Sequence, residues 1–357
     1  MPKDKKPAEA LDLVKQRKKL LEVTLDGLPE RKISRLERTL GPEPYRLLRG
    51  LITNPLSIAG FIILSVFVFI ALAAPVLAPP RNPATPYRIP RDGFHPTPQE
   101  PGTLWESRPP PIPFWYETII GQDQWVHLLG TTSGQWDIYY GVVWGTRTAF
   151  KAGLTVTITV VIIGILTGSL SAYYGGRIDN VIMRITDIFM SFPFFLAALT
   201  MSTILTPVIG RSIVPATIAL IAFGWMSYAR LVRGDILSVK ERDYIIAARV
   251  VGAGDRRILF RHILPNAIFP TLVVASMDVG TYVLSFAALS FLGVGTEVGY
   301  ADWGQIISFA RDWITDLGTY WYVVVFPGLA IVFFVLAWNL IGDAVRDLFD
   351  PRLRGTT

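Results

Sequence analysis

The sequence predicts an all-α integral membrane protein with six transmembrane helices and both termini in the cytoplasm. Three observations predict this. The 357 residues are 51% apolar and only 17% charged, against roughly 25% charged in a soluble domain. The apolar residues fall in long blocks, and a span needs ~20 of them to cross ~30 Å of hydrocarbon. Lysine and arginine crowd into alternate loops, as they do on the cytoplasmic side of membranes.

Residues 1–50 hold 13 Lys/Arg and 8 Asp/Glu, with Lys15, Arg17, Lys18 and Lys19 clustered. They read as a basic cytoplasmic tail, solvated or resting on anionic lipid. The first 45 residues have no apolar h-region, so no cleavable signal peptide is expected. The stretch YRLLRGL at 45–51 reads as an amphipathic lead-in at the interface. The first helix falls in 51–79, with its uncharged block at Ile58–Ala78 and prolines at 75, 79 and 80 closing it.

Residues 80–145 form an extracytoplasmic segment. Its polar part, to about 128, is proline-rich, which favours extended, irregular chain. Six aromatics between Phe94 and Trp125 indicate a packed subdomain rather than a loose linker. Trp105, Trp115, Trp125 and Trp136 read first as its core, with a partner-binding surface or an interfacial belt as alternatives.

The core domain, 146–344, holds five further spans. They are Ala152–Tyr174, Ile188–Gly210 with Pro193 and Pro207 inside it, Ser212–Ala229, about Asn266–Gly293, and Leu317–Gly342. Neighbouring helices and hydroxyls can re-satisfy carbonyls freed by intramembrane prolines. The 230–265 segment carries 8 Lys/Arg against 4 acids, whereas 293–320 has Arg311 against 4 acids and 80–128 has 4 Lys/Arg. That makes 230–265 the large cytoplasmic loop. Residues 345–357 form a second cytoplasmic tail.

Enzyme chemistry is missing. No Gly-Lys pair exists to build a phosphate-binding loop, and HExxH is absent. His95, His127 and His262 are too scattered for a metal site, and there is no cysteine. The net charge of +6 sits in loops rather than along one soluble face, which argues against nucleic acid. The architecture therefore points to carriage of a solute, with any ATP hydrolysed by a partner. A self-sufficient ion-coupled carrier is the rival reading. It would need repeated halves and intramembrane ion sites, and Asp278 is the one clear mid-span acid.

Charged groups in spans are costly and usually face a cavity or a partner. Asp278 is either a pathway group able to meet a substrate amine or a buried acid with hydrogen-bond partners. Asn339, with Asp343, lies where the sixth span meets the cytoplasm and is a second, weaker pathway candidate beside a structural role. Arg184 and Asp187 read as a helix-end pair. Gly164, Gly168, Ser169 and Ser171 form a small-residue packing face.

The loop from Glu241 to Asn266 is the most specific stretch. Physically it is a short helix, a Gly252-Ala253-Gly254 break, a second basic amphipathic helix and a proline stop at Pro265. Ala247, Ala248 and Gly252 are small enough for another protein to approach the backbone. On physics alone, a handle for a partner and a helix lying on headgroups are equally good readings.

The loop resembles the EAA loop of ABC-importer permeases, in which EAA, three residues, Gly, nine residues and I-x-LP recur. Ala247, Ala248, Gly252, Leu264 and Pro265 match at that spacing, Ile246 stands where Glu is usual, and His262 stands in place of Ile. Arg46–Pro55 with APVLAPP, LLGTTSGQWD, YYGGRID, MRITDIFMSFP, LSFLGVG, DWG, FPGLA and NLIGDAVRDLFDPR follow in order over about 280 residues. They resemble the C-type permeases of the dipeptide/oligopeptide/nickel family, although Gly134-Gln135-Trp136-Asp137 replaces a usual Gly-Arg-Asp. The 80–128 segment is longer than expected for that family.

The resemblance implies the type I importer permease fold in the cell (inner) membrane. It implies a second permease, two cytoplasmic ATPases that hold ATP and Mg, an extracytoplasmic solute-binding protein and membrane lipid as partners. No cofactor is expected in this chain. It implies ATPase coupling through Tyr244, Ala247, Ala248, Arg249, Gly252, Ala253, Asp255, Arg261, Leu264 and Pro265, and peptides as cargo, with sugars or nickel chelates as the alternatives.

Overall fold

The computed structural model describes residues 54–121 and 124–349. The 1–50 tail, the lead-in at 45–51 and the end of the 345–357 tail lie outside them. In chain order the helices are α1 (Pro55–Leu77), α2 (Phe114–Ile120), α3 (Ile138–Tyr174), α4 (Gly176–Met190), α5 (Phe194–Ile209), α6 (Ile213–Lys240), α7 (Asp243–Val250), α8 (Asp255–Arg257), α9 (Leu264–Ala267), α10 (Phe269–Phe291), α11 (Trp303–Ser308) and α12 (Leu317–Phe349). Helices α1, α3, α6, α10 and α12 are long and apolar enough to cross a membrane. Helices α4 and α5 supply a sixth crossing only as a pair bent by 85°. Among the described residues, extended pairing is limited to isolated bridges, three within residues 91–137 and one joining Arg88 to Tyr300. Hydrocarbon leaves the backbone no external partners, so the spans are helical.

Several helix ends differ from the sequence expectation. The second span starts at Ile138 rather than Ala152, giving 37 residues, or ~55 Å at ~1.5 Å per residue. Asp137 starts it by accepting from the Tyr140 N–H at 2.9 Å. Residues 138–145, read as part of the outer segment, are therefore its first turns. The fourth span continues past Ala229 to Lys240. Its polar last turns have partners: Arg233 donates twice, at 2.6 Å, to the Asp179 carboxylate on α4. The third span is not one helix. It breaks over Ser191–Pro193, because Pro193 lacks an N–H and disfavours helical backbone at Phe192. Asp187 pairs with Arg230 of α6, not with Arg184.

Close approach of α3 and α6 sets the core. A Cβ on Gly164 would lie 2.3 Å from the Tyr228 Cβ, and one on Gly168 2.5 Å from the Ala229 carbonyl oxygen. Ala152, Val156 and Val160 of α3 pack there against Ala216, Ala219 and Leu220 of α6. Packing of small residues is the main source of helix association in lipid.

The segment between α1 and α3, expected to lie outside, is a folded cap with little regular structure. Trp125 is buried, and Trp105, Trp115 and Trp136 pack against the same core as α1, α3, α11 and α12. Three aromatic donors close the end of α1. Trp115 Nε1 and Tyr139 Oη donate to the Leu77 carbonyl at 3.0 and 2.8 Å, and Trp144 Nε1 donates to that of Ala78 at 2.8 Å. Prolines 79 and 80 cannot continue the helix, so these carbonyls would otherwise lack partners.

His127 pins the cap. Its Nδ1 lies 2.7 Å from Asp137 and its Nε2 3.2 Å from Asp92, with all three side chains inaccessible to solvent. Burial would raise the Asp92 carboxyl. The Glu106 and Ser107 N–H groups, His127 and the Ser107 hydroxyl outweigh burial and hold it below 3.8. The stability Asp92 contributes is complete above pH 3.8 and is lost as pH falls through the lower folded value. His127→Phe removes one partner from each of two buried carboxylates, which keep the Glu106, Ser107 and Tyr140 N–H groups. It should cost on the order of 1–3 kcal/mol, read as a lower unfolding temperature by tryptophan fluorescence in detergent.

Asp302 behaves in the opposite sense. It caps α11 through the Gly304 N–H at 3.0 Å, but burial pushes its carboxyl from 3.8 up to about 6. The folded state then binds more protons than the unfolded one between those values, so stability falls as pH rises through them and stays lower above. That interval of about two pH units corresponds to about 3 kcal/mol. Asp302→Asn keeps the cap without the charge. Thermal unfolding of this variant should lose the decline between pH 4 and pH 6 and gain stability at pH 8.

Candidate functional site

The loop between α6 and α10 is built from α7, the turn Val251–Gly254, α8, a π-helical turn (Ile258–Ile263) and α9. Its inner face is apolar. Ile245, Ile258, Leu259, Ile263 and Ala267 are buried with Ala172 and Tyr173 of α3 and Val232, Ile236 and Val239 of α6. Polar ties hold the same contact. Lys240 Nζ donates to the Ala172 and Tyr173 carbonyls at 3.1 and 2.6 Å, and the Tyr173 hydroxyl donates to Asp255 at 2.6 Å. The loop is thus fastened to the ends of α3 and α6 at both of its helical arms.

Two backbone features shape it. Gly252 sits at φ +85° with nothing near its Cβ position, so glycine is required there by conformation and not by space. Pro265 does not stop the second helix, contrary to expectation. It occupies the first turn of α9, where a missing N–H is tolerated. The preceding turn widens so that the Leu264 N–H reaches the Leu259 carbonyl, and Asn266 Nδ2 donates to the His262 carbonyl at 2.7 Å.

The outer face is apolar and basic together. Val250 and Val251 are 82% and 87% exposed, and Tyr244, Ile246 and Phe260 are also exposed. A groove of about 720 Å³ runs along Gly254, Asp255, Arg256, Arg257, Phe260, Arg261 and Pro265. Of the residues expected to act here, Tyr244, Ala247, Arg249, Gly252, Asp255, Arg261 and Pro265 are exposed. Ala248, Ala253 and Leu264 are half-buried behind them. Sequence reasoning missed Val250, Val251 and Phe260, and it missed the anchors Lys240 and Tyr173.

The two pathway candidates do not meet. Asp278 is half-buried and accepts the Tyr228 hydroxyl at 2.6 Å. Its helix packs on α12 through the opposite face, where a Gly280 Cβ would lie 3.0 Å from the Val335 Cα. Residues two apart on a helix point ~200° apart, so the body of α10 separates Asp278 from Asn339, which is exposed on α12.

Residues 160–355 match the family described as binding-protein-dependent transport system inner membrane component, and residues 46–92 match the N-terminal transmembrane domain of oligopeptide transport permease C. The chain belongs to this family and is a multi-pass inner-membrane protein. The dipeptide transport system permease protein of Haemophilus influenzae is 34% identical over 298 residues, 84% of this chain and 91% of its own. That of Alkalihalophilus pseudofirmus is 33% identical over 301 residues, 84% and 87% respectively. The glutathione transport system permease protein of Pectobacterium atrosepticum is 38% identical over 241 residues, 68% and 78%. An inward-facing structure of the MetNI methionine ABC transporter matches 60% of this chain and 98% of its own at TM-score 0.50 and 21% identity, which shows the fold.

The ties beneath the loop are testable. Tyr173→Phe removes the bond to Asp255, a change of roughly 1 kcal/mol. Hydrogen exchange should accelerate at residues 253–263 and stay unchanged in α10.

Proposed function

We propose that this chain is the permease subunit of an ATP-driven importer of di- or oligopeptides, forming half of a translocation pathway shared with a second permease. The dipeptide and glutathione permeases among its relatives support the cargo class. An extracytoplasmic binding protein delivers the peptide. Two separate cytoplasmic ATPases hold ATP and Mg and perform the hydrolysis, consistent with a chain that carries no Gly-Lys pair. Both termini lie in the cytoplasm, on the side of the basic loop.

The loop carries this reading. Exposed valines in water are costly, at ~25 cal/mol per Å² of apolar surface, and the same loop carries exposed Arg249, Arg256, Arg257 and Arg261. A protein partner that buries the valines and meets the arginines removes that cost. When ATP closes the ATPases around Tyr244–Arg261, force passes through the buried isoleucines, Lys240 and the Tyr173–Asp255 bond into α3 and α6. The two permeases then rock between inward- and outward-open states as rigid bodies. Asp278, clasped by Tyr228, is an acid at mid-span available to the path.

Val250 makes the test clean, because its side chain supports nothing inside the fold. Val250→Asp should reduce ATPase recovery with the purified permease at least tenfold and abolish ATP-dependent uptake in vesicles. Membrane insertion and yield should stay unchanged. Full ATPase recovery and uptake would instead leave the loop as a helix lying on headgroups.

A further inference from the structure

We propose that α2 is an interfacial foot that seats the outer cap on the lipid leaflet at that end of α1. The helix has seven residues, too few to be stable alone. Its inner side holds it in place. Tyr116 is 1% exposed and stands edge-on to Trp125 at 4.6 Å between ring centroids. Trp115 donates to the Leu77 carbonyl at 3.0 Å. That bond sets the height of α2 at the last turn of a membrane span.

The outer side of α2 is what a soluble cap would not present. Phe114 is 75% exposed and Ile119 77%. Thr118 lies between them, with its hydroxyl already donating to the Phe114 carbonyl at 2.8 Å, so little is lost when it leaves water. Glu117 is also exposed and keeps one edge of the helix at headgroup level. An apolar face with a charged margin on a short surface helix is the pattern of a helix lying in the membrane plane.

A lipid-facing surface ends at the same level. Phe69, Leu72 and Val76 are exposed on one side of α1, at three- and four-residue spacing. The last of them is one residue before Leu77. The lipid-facing side of α1 therefore reaches the level at which Trp115 fastens α2. Pro109, Pro110, Pro111 and Pro113 precede the helix, and their restricted backbone fixes its approach.

The chain has no cysteine, so single thiols can be introduced without background. Phe114→Cys and Ile119→Cys, each carrying an environment-sensitive fluorophore, are compared with Glu106→Cys on the exposed cap. The full chain is reconstituted in phosphatidylcholine–phosphatidylglycerol vesicles. The expected result is blue-shifted emission at 114 and 119 that loses more than half its intensity to nitroxide lipid labelled near the headgroup. Position 106 should be quenched only by aqueous iodide. Iodide quenching of all three alike overturns the proposal, as does blue-shifted emission at 114 and 119 that lipid nitroxide leaves untouched, which would mean cover by protein.

Discussion

The contact on which the rest depends is the one between α3 and α6. Gly164 and Gly168 remove the side chains that would keep the two backbones apart, and Tyr228 and Ala229 fill the space. Once the helices run this close, their far ends are brought together. Lys240 then reaches the last carbonyls of α3, and the base for α7 to α9 is complete. A bulky residue at either glycine would act on the loop through the next one to three turns of α3.

The same base explains how an irregular loop keeps one shape. Its helices are interrupted by a break at Gly252 and a proline at 265. The buried isoleucines hold that shape. Ile245, Ile258 and Ile263 come from both arms and meet in one cluster, so neither arm can swing without opening it. The π turn lets Pro265 sit in a continuous helical path.

Much of the architecture was legible because hydrocarbon imposes such a simple rule on sequence. Six apolar blocks stand out, and the glycines of α3 read as packing residues. The helix ends were not legible where polar residues continue a span. Arg230–Lys240 and Ile138–Lys151 look like loop by hydropathy, and they are helical because the distant Asp179 supports the one and the local Asp137 cap starts the other. Pro193 was visible, but its effect was not, since prolines within spans are often tolerated and Pro207 is tolerated in α5. In the loop, the spacing of Ala247, Gly252 and Pro265 marked the place. An eight-residue helix is too short for periodicity to tell its buried side from its exposed one, which hid Val250 and Val251.

The closure of α1 by aromatics orders events in time. The carbonyls of Leu77 and Ala78 take their donors from Trp115, Tyr139 and Trp144, which are synthesised later. At ~5–20 residues per second, the ribosome needs several seconds to deliver them. During that interval the end of the first span can rely only on water and headgroups. Its final depth in the bilayer is therefore settled when the second span arrives, so the cap and the first two spans mature as one unit.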